Sequence, residues 1–348
     1  MRRPLAAMLV LALSACGARD AAAPAVALSA ARFAAADPLT HAAIGFSVDT
    51  PARAAIAARQ GVGVTILYAG APPKNGPLSA ALAREGIAIV DASVSGVLGA
   101  WECHRTYTVA PPPKSYGYNS YCQADYDPQM NSSAAVLAAV RRILAGDAHR
   151  GDVVGYWVLD DWPWWDSGSA HALLQAVHAE IAAAAPAKPA ICGFAGTVER
   201  PKLVGWFAGT AANFSPQACD WVGWYNYSPF GLTKPSSGDG LDWSMKALLP
   251  AMARSLEKYG WRNAQTPLVG IGQAWSGRYG GDDYQPGLSE SQMRTQAAAF
   301  CRFGARAISW YAWDDSGFGA QTQTPEDSAA ISSGVTASVA ACRSIWER

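Results

Sequence analysis

Eight short apolar runs recur along the chain, and the stretches between them carry helical periodicity. The runs are Ile44–Val48, Val62–Ala69, Ala88–Val94, Val153–Asp161, Ala190–Ala195, Trp221–Tyr227, Leu268–Trp275 and Ala307–Asp315. The helical stretches are Pro51–Gln60, Leu78–Arg84, Ser132–Leu144, Ser169–Ala184, Pro201–Ala208, Ser244–Lys258, Glu290–Phe303 and Asp327–Trp346. Alternation of this kind predicts parallel strands with helices packed outside them. Eight repeats predict an α/β chain folded as a single (βα)8 barrel over residues 41–348. An open doubly wound sheet is the rival, and it lacks the Gly-rich phosphate loop expected after its first strand.

Local signals support the helices. Ser132 and Ser133 stand where an N-cap is needed and Gly146 where that helix would stop; Ser169 precedes the next helix and Pro186 follows it. Ser289 with Gln292 has capping-box spacing, and Gly304 follows Phe303. The connections are lopsided. Those entering strands are short, whereas Ser95–Asn131, Ser228–Trp243 and Ser276–Ser289 leave strands and are long. Long loops in a compact domain are usually functional, and here they gather at the C-terminal face, where barrel enzymes place their sites.

The densest chemistry lies in Gly155–Trp165, GYWVLDDWPWW. A buried strand ends at two adjacent carboxylates, Asp160 and Asp161; Pro163 then prevents further ladder pairing, and Trp162, Trp164 and Trp165 crowd the exit. Aromatic rings beside carboxylates suit a sugar, whose C–H faces stack while its hydroxyls are bound. A purely structural alternative has Asp160 capping the next helix and Asp161 in a salt bridge. Ten of the 14 tryptophans lie at strand ends or in exit loops: Trp101, Trp157, Trp162, Trp164, Trp165, Trp224, Trp243, Trp275, Trp310 and Trp313. Of these, Trp157, Trp224 and Trp310 are core candidates.

The formal net charge is zero, with 27 basic and 27 acidic residues and no basic run interleaved with aromatics, so nucleic acid is not an expected partner. No cofactor motif is present. The N-terminus carries Arg2 and Arg3 before the apolar Leu5–Leu13, too short to span a bilayer. Leu13-Ser14-Ala15-Cys16 resembles the lipobox of bacterial lipoproteins. The resemblance implies a signal peptide over residues 1–15, lipid on Cys16, a tether over residues 16–40, and attachment to a membrane of the bacterial cell envelope. Six cysteines remain, an even number consistent with disulfides in an exported chain. Six allow 15 connectivities, of which the sequential one is expected: Cys103–Cys122, Cys192–Cys219 and Cys301–Cys342. No Cys or His cluster has zinc spacing, a G-x-S-x-G elbow is missing, and Asp282-Asp283 reads as a solvated pair rather than a calcium ligand.

The strand ends together resemble the clan of retaining glycoside hydrolase barrels. In that clan strand four ends in a dipeptide whose second residue is the acid/base, often before proline, as in Leu159-Asp160-Asp161-Trp162-Pro163. Strand seven ends in the nucleophilic glutamate, and strand eight carries a tryptophan lining the sugar subsite; Ile271-Gly272-Gln273-Ala274-Trp275 and Trp310 or Trp313 occupy those places. The resemblance implies a carbohydrate substrate and Asp161 as proton donor. Gln273, an amide, departs from the clan at the nucleophile position. The second carboxylate then comes from Asp314, Asp315, Asp91 or Glu102; or the enzyme inverts through a water; or the barrel binds glycans without cleaving them. Gln273, Tyr225 and Asn226 are the expected hydroxyl ligands, and Trp162, Trp275 and Trp313 the stacking rings.

Overall fold

Eight parallel strands close on themselves in the computed structural model, which describes residues 37–107, 122, 126–160, 170–194, 211–226, 245, 249–279, 283–285, 287–314 and 323–348. In chain order the elements are β1 (Ala43–Phe46), α1 (Pro51–Arg59), β2 (Val64–Leu67), α2 (Pro77–Glu85), β3 (Ala88–Asp91), α3 (Ser93–Thr106) and α4 (Ser133–Asp147). They continue with β4 (Val153–Leu159), α5 (His171–Ala184), β5 (Ala190–Phe194), β6 (Trp221–Tyr225), α6 (Leu249–Glu257), β7 (Leu268–Gln273), β8 (Gly277–Tyr279), β9 (Asp283–Gln285), α7 (Glu290–Phe303), β10 (Ala307–Tyr311) and α8 (Ala329–Trp346). The barrel runs β1 to β7 in order and closes through β10 back onto β1, while β8 and β9 form a separate antiparallel hairpin. The expected (βα)8 barrel is therefore the fold.

Alternation along the strands sorts the apolar residues into two sets. One set, including Ile44, Phe46, Ile66, Val90, Trp157, Ile191, Tyr225 and Ile271, fills the barrel interior. The other packs the outer strand faces against the helices. Among the large interior side chains is the Trp157 indole, fully buried. It lies across Gly193 of β5 and Gly223 of β6, which are register partners on adjacent strands. A Cβ on either glycine would overlap that ring. The two glycines form the slot that lets an indole fit inside the barrel. Leu39 belongs to the interior set, and the Trp221 indole N–H donates to Asp37 at 2.9 Å, so the segment ahead of β1 packs against the barrel core.

Several local expectations hold. Ser132 caps α4 by accepting from the Ala135 N–H, Ser289 and Gln292 form a reciprocal capping box, and Gly304 ends α7 in the left-handed region. All three sequential disulfides form: Cys103–Cys122, Cys192–Cys219 and Cys301–Cys342. By loop length each contributes about 3–4 kcal/mol, largely by restricting the unfolded chain. Others are corrected. Helix α4 runs one residue past Gly146, because nothing at that position requires a left-handed turn. The stretch assigned to a long exit loop begins with α3, a helix of 14 residues. Its sequence, SVSGVLGAWECHRT, has poor intrinsic propensity through Gly96, Gly99 and the β-branched residues. Burial of Val94, Leu98, Trp101 and Cys103 outweighs that deficit. The expected helix at 201–208 and the Ser169 cap lie outside the described residues.

Adding a methyl group at Gly193 should force the Trp157 ring out of its slot. Gly193→Ala is expected to cost about 1–3 kcal/mol, read as a lower urea midpoint. Gly63→Ala, where a Cβ would meet open space, is the control and should leave the midpoint unchanged or slightly raised.

Candidate active site at the barrel mouth

Strand parity decides which polar residues reach the barrel mouth. On β6, Trp221 and Tyr225 face inward. On β7, Val269 and Ile271 face inward, so Gln273 does too, while Gly270 and Gly272 back onto Phe300 and Gln296 of α7. On β10 the inward position at the strand end is Tyr311, paired in register with Gln273. Immediately after β4, Asp160 is buried, and its Oδ1 accepts the Tyr225 hydroxyl at 2.6 Å. A short bond from a phenol to a carboxylate is charge-assisted and fixes both groups. Asp160, Tyr225 and Gln273 thus converge at the C-terminal end of the barrel.

Beneath them lies an aromatic floor centred on Phe46. Its ring is 5.4 Å from Trp157, edge to face, 5.5 Å from Tyr311, 5.8 Å from Tyr225 and 6.0 Å from Tyr68. Tyr68 follows β2 and is 37% exposed, giving the floor an open rim. The Gln273 amide donates to the Trp275 carbonyl at 2.8 Å, which ties the end of β7 to its exit loop.

At the edge of the mouth, Arg53 of α1 joins three carboxylates. It pairs with Asp49 at 2.6 Å, Asp314 at 3.0 Å and Glu326 at 2.8 Å, linking the exits of β1 and β10 to the approach of α8. Burial works against its charge, but the bonds to Glu326 and Asp49 more than offset this and hold the guanidinium above its ordinary pKa. Asp314 is therefore engaged as an ion-pair partner.

Five expected ligands are buried or placed elsewhere. Asp91 ends β3 between the inward residues Val90 and Ala92, so its side chain points into the helix layer. There it accepts from the Ala71 N–H at 2.7 Å and from the Ser93 N–H and hydroxyl at 2.8 and 2.5 Å. Glu102 lies on α3 and bonds Arg105 at 2.8 Å, while Arg105 stacks over Trp101. Asn226, one residue past inward-facing Tyr225, is fully buried and donates to the Met245 sulfur; its carbonyl accepts from Gln296. Trp313 packs against the outward face of β1 at Gly45, and Trp275 is 1% exposed, so neither ring has an open face for a sugar. Trp157, Trp224 and Trp310 are buried, as expected of core residues. Asp161, Asp315 and Trp162 lie outside the described residues. Tyr311, Tyr68 and Arg53 were not singled out by sequence. Parity would have found Tyr311: once Trp310 is assigned to the wall, its neighbour must face the barrel axis. Among the described residues no group of three or more His, Cys, Asp or Glu is gathered for a metal ion.

No protein-family model matches the sequence, and neither does any curated protein. Solved structures do resemble the fold. The endo-β-1,4-mannanase of Thermotoga petrophila superposes with a TM-score of 0.54 at 10% identity, over 89% of this chain and 77% of that one. The β-galactosidase of Halorubrum lacusprofundi gives 0.54 at 13% identity, over 88% of this chain and 58% of that one. The β-galactosidase of Marinomonas ef1 gives 0.51 at 9% identity, over 85% and 58%. This chain thus spans little more than half the length of the two galactosidases. At such identities the likeness establishes a shared barrel fold.

The Tyr225–Asp160 bond is directly testable. Tyr225→Phe removes the donor and keeps the ring, so it should lower stability by about 1.5–3 kcal/mol, the range for a hydrogen bond to a charged group. Equilibrium denaturation measures this, and an unchanged midpoint would rule out the bond as a contributor.

Proposed function

We propose that the protein is a glycoside hydrolase-like barrel acting on a polysaccharide or oligosaccharide at the C-terminal mouth. The observation that carries this reading is Asp160, held by the Tyr225 hydroxyl beside an aromatic floor at the end of β4. In the proposed reaction Asp161, the next residue, donates a proton to the leaving oxygen, and Asp160 orients the pair. Tyr225 and Gln273, buried beneath the mouth, hold Asp160 and the end of β7 in place, and Tyr68 and Tyr311 offer ring edges and faces in place of Trp275 and Trp313. Asp315 serves as base or nucleophile, with Asp314 fixed beside it by Arg53. The solved structures of similar fold include a mannanase and galactosidases, which supports a carbohydrate ligand as a class.

A second reading is a barrel that binds glycans without cleaving them. Gln273 favours it, since an amide engaged with the Trp275 carbonyl cannot be a nucleophile. Comparing carboxylate variants separates the two. General acid catalysis is typically worth ~10²–10⁴ in rate, so Asp161→Asn should cut kcat on a cleaved glycan by about that factor while glycan affinity largely survives. Asp160→Asn should cost less. Full activity in purified Asp161→Asn refutes the assignment. Wild-type protein that binds a glycan yet never cleaves one across a polysaccharide panel selects the binding reading.

We also propose that the chain is an envelope lipoprotein anchored through Cys16. Three disulfides accord with an oxidising, exported compartment. Among the described residues no helix is long and apolar enough to cross a membrane. Under this proposal Cys16→Ser moves the protein from the membrane fraction to the soluble one, because the acyl chains are the attachment. Unchanged fractionation contradicts the anchor.

A further inference from the structure

On the outer wall, Asp91 of β3 is the register partner of Tyr156 of β4, whose hydroxyl bonds Asp147, so two buried carboxyl groups meet there. Asp91 is 2% exposed and Asp147, at the end of α4, is 5% exposed. Asp147 Oδ1 accepts the Tyr156 hydroxyl of β4 at 2.9 Å, while its buried Oδ2 has no protein donor. The remaining charged groups facing the pair come from the turns below. Lys188, before β5, donates to the backbone carbonyls of Asp147 and Arg150 at 2.9 Å each. Arg150 holds Asp152 through two bonds, at 3.0 and 2.7 Å, and donates to the Pro72 carbonyl at 2.6 Å.

This cluster grips one loop at two consecutive residues. The loop joins β2 to α2 and begins with Tyr68, the exposed ring of the mouth. Asp91 accepts the Ala71 N–H, and Arg150 donates to the Pro72 carbonyl. Gly70 sits against Asp91 and Ser93 in a left-handed conformation, φ +80°, and a Cβ there would press on the Asp91 carboxylate. The loop is thus shaped around Asp91.

We propose that Asp147, set beside Asp91, is a proton-operated latch on the β2–α2 loop, closed while Asp147 carries its proton and loosened once Asp147 is charged. While protonated, the Asp147 hydroxyl can donate to Asp91, which keeps its other acceptors aimed at Ala71 and Ser93. Loss of that proton places two like charges together in a buried site, a costly arrangement. The new charge also competes with the Pro72 carbonyl for Arg150. Both grips on the loop weaken together. Burial first, and the neighbouring Asp91 second, push the Asp147 carboxyl up to about 7, against the pull of the Tyr156 hydroxyl. A group whose pKa is raised on folding stabilises the closed form most at low pH, and that stabilisation is lost as pH rises through the folded value. The latch therefore loosens between about pH 4 and 7 and changes little above that. Its consequence for the mouth, through Tyr68, rests on the proposed glycan site; the latch itself does not.

Amide hydrogen exchange of the full chain between pH 5 and 8 tests this, with rates corrected for intrinsic pH dependence. Protection of the Ala71 amide should fall by up to about tenfold per pH unit from pH 5 to 7, since one pKa unit corresponds to tenfold. Amides of α7 and α8 should keep their protection, which separates loop opening from global unfolding. Asp147→Asn keeps a donor for Asp91 and cannot ionise, so its Ala71 profile should be flat. Constant Ala71 protection in the wild type overturns the latch, as does an Asp147→Asn slope equal to that of the wild type. The wild-type profile alone decides the matter should the variant not fold. Glycan binding plays no part in the readout, so failure of the latch and failure of the proposed function are distinguishable.

Discussion

The fit of one indole between two glycines organises this barrel. A closed eight-stranded barrel has an interior just wide enough to be filled by side chains, and Trp157 occupies it across β5 and β6 only because Gly193 and Gly223 face each other in register. The ring then serves as the base on which Phe46 and Tyr225 rest, edge to face at 5.4 and 6.2 Å. Tyr225 in turn carries the hydroxyl that fixes Asp160. A packing constraint deep in the core is therefore connected, through two ring contacts and one hydrogen bond, to the polar end of the barrel.

That chain of contacts also explains the chemistry available at the mouth. A carboxylate beside aromatic rings is partly desolvated, and each hydrogen bond to it matters more than it would in water. Asp160 has its phenol, whereas Asp314 is held by a guanidinium that also serves Asp49 and Glu326. The two strand-end acids are thereby set apart: one belongs to the floor and the other to the rim network. Ion pairing at the rim also braces the exits of β1 and β10, whose loops border the mouth.

Much of the fold was legible because its signals are local and repeated. Eight apolar runs gave eight barrel strands within a few residues, and capping chemistry at Ser132, Ser289 and Gly304 behaved as the side chains dictate. The sequential disulfides followed because each pair joins neighbouring elements of a barrel laid down in chain order. Helix α3 was not legible, since its glycines argue against it and its stability comes from burial and a disulfide partner 19 residues away. Arg53 was equally silent: Asp49 is only four residues away, but Asp314 and Glu326 reach it through barrel closure.

The candidate site divides along a finer line, that of parity. Polar residues were found at strand ends correctly, but a strand end has two faces, and a shift of one residue exchanges the mouth for the wall. Tyr225 faces the axis and Asn226 the helix layer; Tyr311 faces the axis, while Trp310 belongs to the outer set. Asp91 is outward because Val90 and Ala92 are inward, and its three donors are what an outward, buried carboxylate requires. Tryptophans divide the same way: Trp157, Trp221 and Trp275 belong to the interior set, while Trp224, Trp310 and Trp313 belong to the outer one, Trp313 against Gly45. A rich strand-end composition thus overstates a site by roughly the share of residues that point the other way. Among the described residues, the mouth keeps the Asp160 carboxylate anchored by Tyr225, the Gln273 amide and an aromatic floor edged by Tyr68 and Tyr311.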